Sequence, residues 1–276
     1  MRIGKQEFDC KNKTYIMGIL NVTPDSFSDG GSYQGRDAAL FRVEEMIAEG
    51  AHIIDIGGES TRPGYTQISD LEEIERVVPV VEAIKKQFEI PVSVDTYKSK
   101  VASAAIAAGA DLINDIWGLK YVDIAGADSM ADVIAKGNVA CCLMHNRKEA
   151  VYESFLRDVK KDLAECVQIA LNAEISPDKI ILDPGVGFAK SYEQNLQIIN
   201  QIGSFKELGG YPVLLGTSRK SVIGLTLDLP VEERLEGTLV TTVQAVLNGC
   251  AFVRVHDIKA NARAIRMAEA IRDIGL

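Results

Sequence analysis

Short, almost continuously apolar runs recur along the chain at 15–20, 52–56, 91–95, 111–115, 139–144, 179–183, 212–216 and 252–255. Runs this short, rich in Val and Ile and bounded by Gly, Pro, Asp and Asn, read as β-strands. Their lack of polar alternation means that both faces are covered. Amphipathic stretches at 37–49, 69–88, 98–108, 154–173, 192–202, 231–247 and 260–274 separate them and read as helices. Ser69 stands three residues before Glu72, the spacing of a capping box. Gly50 and Gly109 stand just past two of the helices, where a left-handed residue closes a helix.

Strands alternating with helices throughout indicate βα units and a parallel sheet. Eight evenly spaced strands favour a closed (β/α)8 TIM barrel over an open doubly wound sheet. The open sheet would want a glycine-rich dinucleotide loop after an early strand, and no G-x-G-x-x-G is present. All 276 residues are therefore expected to form a single α/β barrel domain. The stretch 3–13, ahead of the first buried strand, reads as a small N-terminal hairpin plugging the bottom of the barrel. The stretch 120–130 carries no recognisable motif and leaves the boundary of the fourth helix open.

Composition narrows the classes of function. With 30 Lys and Arg against 39 Asp and Glu, the formal charge is −9, and no basic tract offsets it, which disfavours nucleic acid as a partner. Hydrophobic residues at 47% and charged residues at 25% are globular proportions, not those of a disordered chain. No apolar run approaches the roughly 18 residues of a membrane span, and the polar start MRIGKQEFDCKNK does not resemble a secretory leader. The five cysteines, none in a C-x-x-C pair, read as free thiols in a reducing cytoplasm rather than as a disulfide or zinc framework. H-E-x-x-H, G-x-S-x-G and the Walker lysine loop are all absent.

Chemistry concentrates at the C-terminal ends of the strands, which in a barrel share one rim. Asn21, Asp95, Asn114, Met144-His145, Asp183, Gly216 and Arg254-Val255-His256 all fall there. Asp115 and Asp257 are equally well read as helix caps. Asp95, Asn114 and Asp183 are not, because a carboxylate or amide at the end of an apolar strand is costly to desolvate unless a ligand supplies donors. Two carboxylates and one carboxamide suit a flat heterocycle with adjacent N–H groups, such as an amino-pyrimidinone, because a carboxylate takes two parallel hydrogen bonds from such an edge. Lys220 can donate to ring acceptors. Arg254 and His256 alternate across Val255, so both can point into the mouth. With Asn21 they suit a phosphate or pyrophosphate, accompanied by Mg2+, which prefers oxygen ligands. The Gly-, Pro-, Ser- and Asp-rich loops at 21–31 and 60–64 suit closure over a substrate.

These residues carry a resemblance that runs nearly end to end. MGILNVTPDSFSDGG from Met17, DIGGESTRPG from Asp55, SVDTYK from Ser93, INDIWG from Ile113, LMHNR from Leu143, ILDPGVGFAK from Ile181, LLGTSRKS from Leu214 and VRVHD from Val253 closely resemble the dihydropteroate synthase family. The resemblance implies a barrel, a homodimer, and condensation of 6-hydroxymethyl-7,8-dihydropterin pyrophosphate with p-aminobenzoate, with Mg2+ as cofactor. It implies that Asp95, Asn114, Asp183 and Lys220 hold the pterin, with Met144, Phe188 and Gly216 lining its pocket. Asn21, Thr61, Arg254 and His256 would take the pyrophosphate, Asn21 also helping to place the metal. Phe27, Arg62, Pro63 and Ser221 would border the p-aminobenzoate site, and Asp29 would belong to the mobile first loop. The catalytic set implied is Asp95, Asp183, Lys220 and Arg254.

Other classes fit less well. A corrinoid-type pterin methyltransferase domain would share the acidic floor but need neither the pyrophosphate cluster nor the two Ser/Thr/Pro loops. A catalytically silent pterin-binding paralogue should have lost Lys220, Arg254 or a loop motif, and all are present. A sugar-phosphate aldolase wants a Schiff-base lysine on a barrel strand, whereas Lys220 lies beyond its strand.

Overall fold

The computed structural model describes residues 1–22, 33–59, 67–122 and 128–274. In chain order it contains β1 (Arg2–Ile3), β2 (Gln6–Glu7), β3 (Tyr15–Asn21), α1 (Tyr33–Glu49), β4 (Ile53–Gly57), α2 (Asp70–Gln87), β5 (Val92–Asp95), α3 (Ser99–Ala107) and β6 (Leu112–Asp115). There follow α4 (Met130–Gly137), β7 (Ala140–Met144), α5 (Phe155–Asn172), β8 (Ile180–Asp183), α6 (Tyr192–Asn200), β9 (Leu214–Leu215), α7 (Ser221–Leu227), α8 (Leu235–Leu247), β10 (Phe252–Val255) and α9 (Ile258–Arg272). The strands from β3 onward form one parallel sheet in the order β8-β7-β6-β5-β4-β3-β10-β9. Its two edges meet: Leu182 of β8 bridges Val213 in parallel, and its N–H donates to the Pro212 carbonyl at 2.9 Å. The sheet is thus the closed barrel expected from the pattern.

Period-two alternation along the strands sets the position of everything that matters later. Ile54, Ile56, Val92, Val94, Ile113 and Leu143 pack outward, in the large apolar cluster shared with the helices. Met17, Ile53, Leu112, Cys142, Ile181 and Phe252 face inward and form a second cluster. Ile3 and Phe8 complete it from below, so the N-terminal hairpin does plug the barrel bottom, although its paired part is only β1 and β2. Filling this floor with a ring such as Phe252 matters energetically: its truncation to Ala should cost about 3–5 kcal/mol. Two residues beyond the apolar layer, on the same inward face, the strands present Asp55, Asn114, Met144, Asp183, Gly216 and Arg254.

The pattern left the bounds of α4 open and did not foresee α7. α4 follows Ser129, whose side chain accepts from the Asp132 N–H while Asp132 reaches back to the Ser129 N–H. This is a capping box with Asp in place of the usual Glu or Gln, which hides it from the standard signature. The stretch 231–247 is not one helix. A short α7 ends at Asp228 in left-handed backbone, a single 3-10 turn spans Val231–Glu233, and α8 starts at Leu235. The break is held by Arg234, which donates to the carbonyls of Leu229 at 3.1 Å and Arg219 at 3.0 Å. Gly224 of α7 admits it, since a Cβ there would stand 2.3 Å from the guanidinium.

Candidate active site

At the C-terminal mouth of the barrel, β4, β5, β6 and β10 bring five polar side chains into one buried network. Arg254 donates from Nε to Asp55 Oδ2 at 2.5 Å and from Nη2 to Asp95 Oδ2 at 2.7 Å. Ser93 Oγ donates to Asp55 Oδ1 at 2.5 Å, and Asn114 Nδ2 approaches Asp55 Oδ2 at 3.4 Å. Asp55 is fully buried, and Asp95, Asn114 and Asp183 are nearly so. Asp55 was not among the residues selected from sequence. What marks it is a carboxylate between Ile54 and Ile56, in a position that alternation places inside.

One acceptor is left over. Asp95 Oδ1 is buried and has no hydrogen-bond partner among the described residues. Such an atom costs about 1–3 kcal/mol unless something donates to it. Asp183, at the end of β8, accepts from the Gly185 N–H at 2.7 Å through Oδ1, and a Cβ at Gly216 would stand 3.6 Å from its Oδ2. Lys220 enters from beyond β9, donating to the Val186 carbonyl at 2.6 Å with its ammonium 4.8 Å from the centre of the Phe188 ring. Asp55, Asp95 and Asp183 face Arg254 and Lys220, so among the described residues the mouth is lined by more acids than the two cations pointing into it. The mouth is therefore built to receive hydrogen-bond donors or positive charge.

Burial tunes these groups toward neutrality. It lifts the Asp95 carboxyl to about 7, Arg254 opposing and Asp55 adding repulsion. It raises Asp183 as well, against the pull of Lys220 and the Gly185 N–H. Lys220 falls to about 8 for the same reason, although Asp183 holds it up. Burial also works against the Arg254 charge, but Asp55 and Asp95 outweigh it and keep the guanidinium above its ordinary value. Arg254 is therefore a permanent cation wedged between two acids.

An apolar wall stands beside the acidic floor. Met144, Tyr97 and Ile116 form a small cluster, against which Trp117, Tyr121 and Phe188 pack. Met144 and Phe188 are thus brought together as expected; Tyr97, Ile116 and Trp117 were missed, because nothing in a single aromatic or Ile after a strand distinguishes wall from core. His256 lies on the rim, its Nδ1 2.9 Å from Ser218 Oγ. Asn21 ends β3, half-buried opposite Gly57. Ser221 is exposed at the start of α7. Phe27, Asp29, Thr61, Arg62 and Pro63 lie outside the described residues. Asp115 proves to be a backbone cap, accepting from the N–H groups of Trp117 at 2.8 Å and Leu119 at 2.7 Å. Asp257 instead takes a two-point contact from Arg219.

A model of the pterin binding enzyme family matches residues 17–256. The dihydropteroate synthase of Clostridium beijerinckii is 58% identical over 98% of this chain and 99% of its own. The chain belongs to the dihydropteroate synthase family. Solved members share the fold closely. A dihydropteroate synthase from Clostridium difficile, in the presence of pteroic acid, superposes with a TM-score of 0.91 at 45% identity, covering 96% of this chain and 99% of that one. The Xanthomonas albilineans dihydropteroate synthase with 4-aminobenzoic acid gives 0.88 at 39% identity, over 97% and 98%.

Proposed function

We propose that this chain is a transferase that condenses 6-hydroxymethyl-7,8-dihydropterin pyrophosphate with p-aminobenzoate, releasing pyrophosphate and 7,8-dihydropteroate, in folate biosynthesis. The observation that carries the reading is Asp95 Oδ1, buried in an acidic mouth with no hydrogen-bond partner among the described residues. The pterin's amino-pyrimidinone edge donates to Asp95 and Asp183, Asn114 hydrogen-bonds alongside, Lys220 donates to ring acceptors, and Met144 and Phe188 bracket the ring faces. Asn21, Thr61, Arg254 and His256 take the pyrophosphate. Phe27, Arg62, Pro63 and Ser221 border the p-aminobenzoate, and Asp29 acts in closing the first loop.

The charges give the mechanism. Pyrophosphate leaves as Arg254 and His256 neutralise the charge developing on it. The exocyclic methylene becomes cationic and shares its charge with the ring, where Asp95 and Asp183 stabilise it in a site shielded from water. The aryl amine, neutral at pH 7, then attacks carbon and sheds a proton, so it needs positioning more than activation. Among the described residues there is no cluster of three or more His, Cys, Asp or Glu that could hold a metal. Asn21 offers a single amide oxygen. That donor set fits Mg2+ carried in on the pyrophosphate, since this ion keeps waters and binds through substrate phosphates with few protein ligands. Mg2+ would offset negative charge on the leaving group.

The corrinoid-type methyltransferase and the silent paralogue are disfavoured by Arg254 and Lys220 both standing in the mouth. The reaction is assigned to the cytoplasm, in keeping with free thiols at Cys10, Cys141, Cys142, Cys166 and Cys250. The chain is assigned as a homodimer: α8 and α9 leave Val240, Leu247, Met267 and Ile271 exposed at helical spacing, an apolar face that a second copy would cover. Incubation with both substrates and Mg2+ tests the activity. Dihydropteroate and pyrophosphate should appear in equal amounts, and neither when one substrate is left out. Pyrophosphate release independent of p-aminobenzoate would point to a hydrolase instead.

A further inference from the structure

A half-buried ammonium for which the reaction has no direct use lies behind the pocket wall. Lys190 Nζ is 2.9 Å from the Gly185 carbonyl, 2.9 Å from the Phe188 carbonyl and 2.8 Å from His145 Nδ1. Three donors meet three acceptors, which is the full capacity of an ammonium group. The same contacts fix His145 as the neutral tautomer with its proton on Nε2, directed at Asp162 Oδ2 3.0 Å away; Asp162 in turn accepts from Arg147 Nε at 2.6 Å.

The segment so held is the turn after β8. Gly185 has φ +71, and a Cβ there would fall 2.0 Å from the His145 carbonyl. Gly187 N–H donates to Asn195 Oδ1 at 2.6 Å, and Tyr152 Oη donates to the Ala189 carbonyl at 2.8 Å. Ala189 itself is left-handed, with φ +46. A turn containing two positive-φ glycines and a strained alanine has one backbone bond of its own, Phe188 N–H to the Gly185 carbonyl at 3.2 Å, so side chains from the β7–α5 connection and from α6 hold it further. On this turn sit the two groups that face Lys220, the Val186 carbonyl and the Phe188 ring.

We propose that Lys190 is a positioning residue of the pterin site: it clamps the 185–189 turn against His145 and so sets the Phe188 ring and the Val186 carbonyl that fix Lys220. This rests on the synthase reading above. Lys190 lies among His145 and Arg147 after β7, Asp162 of α5, Asp183 of β8 and Lys220. Burial, with Lys220 and Arg147 adding to it and Asp183 and Asp162 opposing, brings its ammonium down to about 7. An amine that loses a proton there has one donor too few for its three acceptors.

Lys190→Met keeps the length of the side chain and removes the donors. A folded variant should bind 6-hydroxymethylpterin about ten- to a hundredfold more weakly by calorimetry, with the KM for the pterin pyrophosphate raised and that for p-aminobenzoate within about twofold of wild type. Lys190→Arg, which can still reach both carbonyls, should recover most of the loss. Tyr152→Phe removes only the hydroxyl on the Ala189 carbonyl; it should weaken pterin binding in the same selective way and serves if Lys190→Met does not fold. Unchanged pterin affinity in a folded Lys190→Met variant, or equal loss for both substrates, overturns the proposal. In either case an active wild type leaves the synthase reading standing, whereas a wild type that neither binds pterin nor turns over removes both.

Discussion

Asp95→Asn separates the charge of the pterin floor from its shape. The amide is nearly isosteric and can still accept at one oxygen, so the pocket keeps its form. What is lost is a charged acceptor, one of whose oxygens is buried without a partner among the described residues. A hydrogen bond to a charged group is worth about 1.5–3 kcal/mol, which at about 1.4 kcal/mol per tenfold predicts a loss of roughly tenfold to a hundredfold in affinity for 6-hydroxymethylpterin at pH 8. Stability should move the other way or not at all. Burial raises this carboxyl to about 7 in the fold. The native state therefore holds the proton more tightly than the unfolded chain, and ionisation between about pH 4 and pH 7 costs stability. Asn removes that cost at pH 8, while Arg254 retains Asp55. Calorimetric titration gives the affinity and a thermal melt the stability. Affinity within about twofold of wild type, with a normal melt, would refute the claim that Asp95 supplies a charged acceptor to the ligand.

The pH dependence of kcat/KM for the pterin substrate should be a bell, falling below about 7 as Asp95 protonates and above about 8 as Lys220 loses its proton. Asp95→Asn should abolish the acid limb and Lys220→Arg the alkaline one; a profile unaltered by either change assigns the limbs to other groups. Arg254→Met should lose the pyrophosphate-bearing substrate far more than free pterin. It should also lower stability by about 3–5 kcal/mol through the two acids it leaves buried at pH 8. The deficit should shrink toward pH 5 as Asp95 takes up a proton, and a pH-independent deficit in denaturant melts would contradict the ion-pair account. Chelation of Mg2+ should abolish turnover while leaving free-pterin affinity within about twofold, since the described residues offer the metal little besides Asn21; loss of pterin binding on chelation would mean that the metal orders the floor itself.

The architecture was legible because period-two and period-3.6 patterns survive in a barrel whose strands are covered on both faces. So was the mouth: once the strand ends were placed, alternation alone directs Asp95, Asn114, Asp183 and Arg254 to one side. What was not legible was pairing. Nothing in the sequence says that Arg254 spends its charge on Asp55 and Asp95, because the partners lie 199 and 159 residues away along the chain. Lys190 was invisible for a related reason. A lysine after a glycine-rich turn looks solvated, and only the fold shows that its ammonium is enclosed by two carbonyls and His145. The start of α4 was not legible because Asp132 stands in for Glu in its capping box. Asp115 was undecided until its two backbone partners were seen.

The central claim is that this mouth stabilises a pterin cation while pyrophosphate departs, before the amine attacks. Its most direct test places a heavy-oxygen label at the oxygen bridging the methylene and the pyrophosphate, with enzyme and Mg2+ present and p-aminobenzoate absent. Departure and return of the leaving group should scramble the label into the non-bridging positions of that phosphoryl group, and Asp95→Asn should slow the scrambling along with turnover. A label that stays in place in a preparation that turns over normally once p-aminobenzoate is added would mean that attack and departure are concerted, and that the acidic floor only binds.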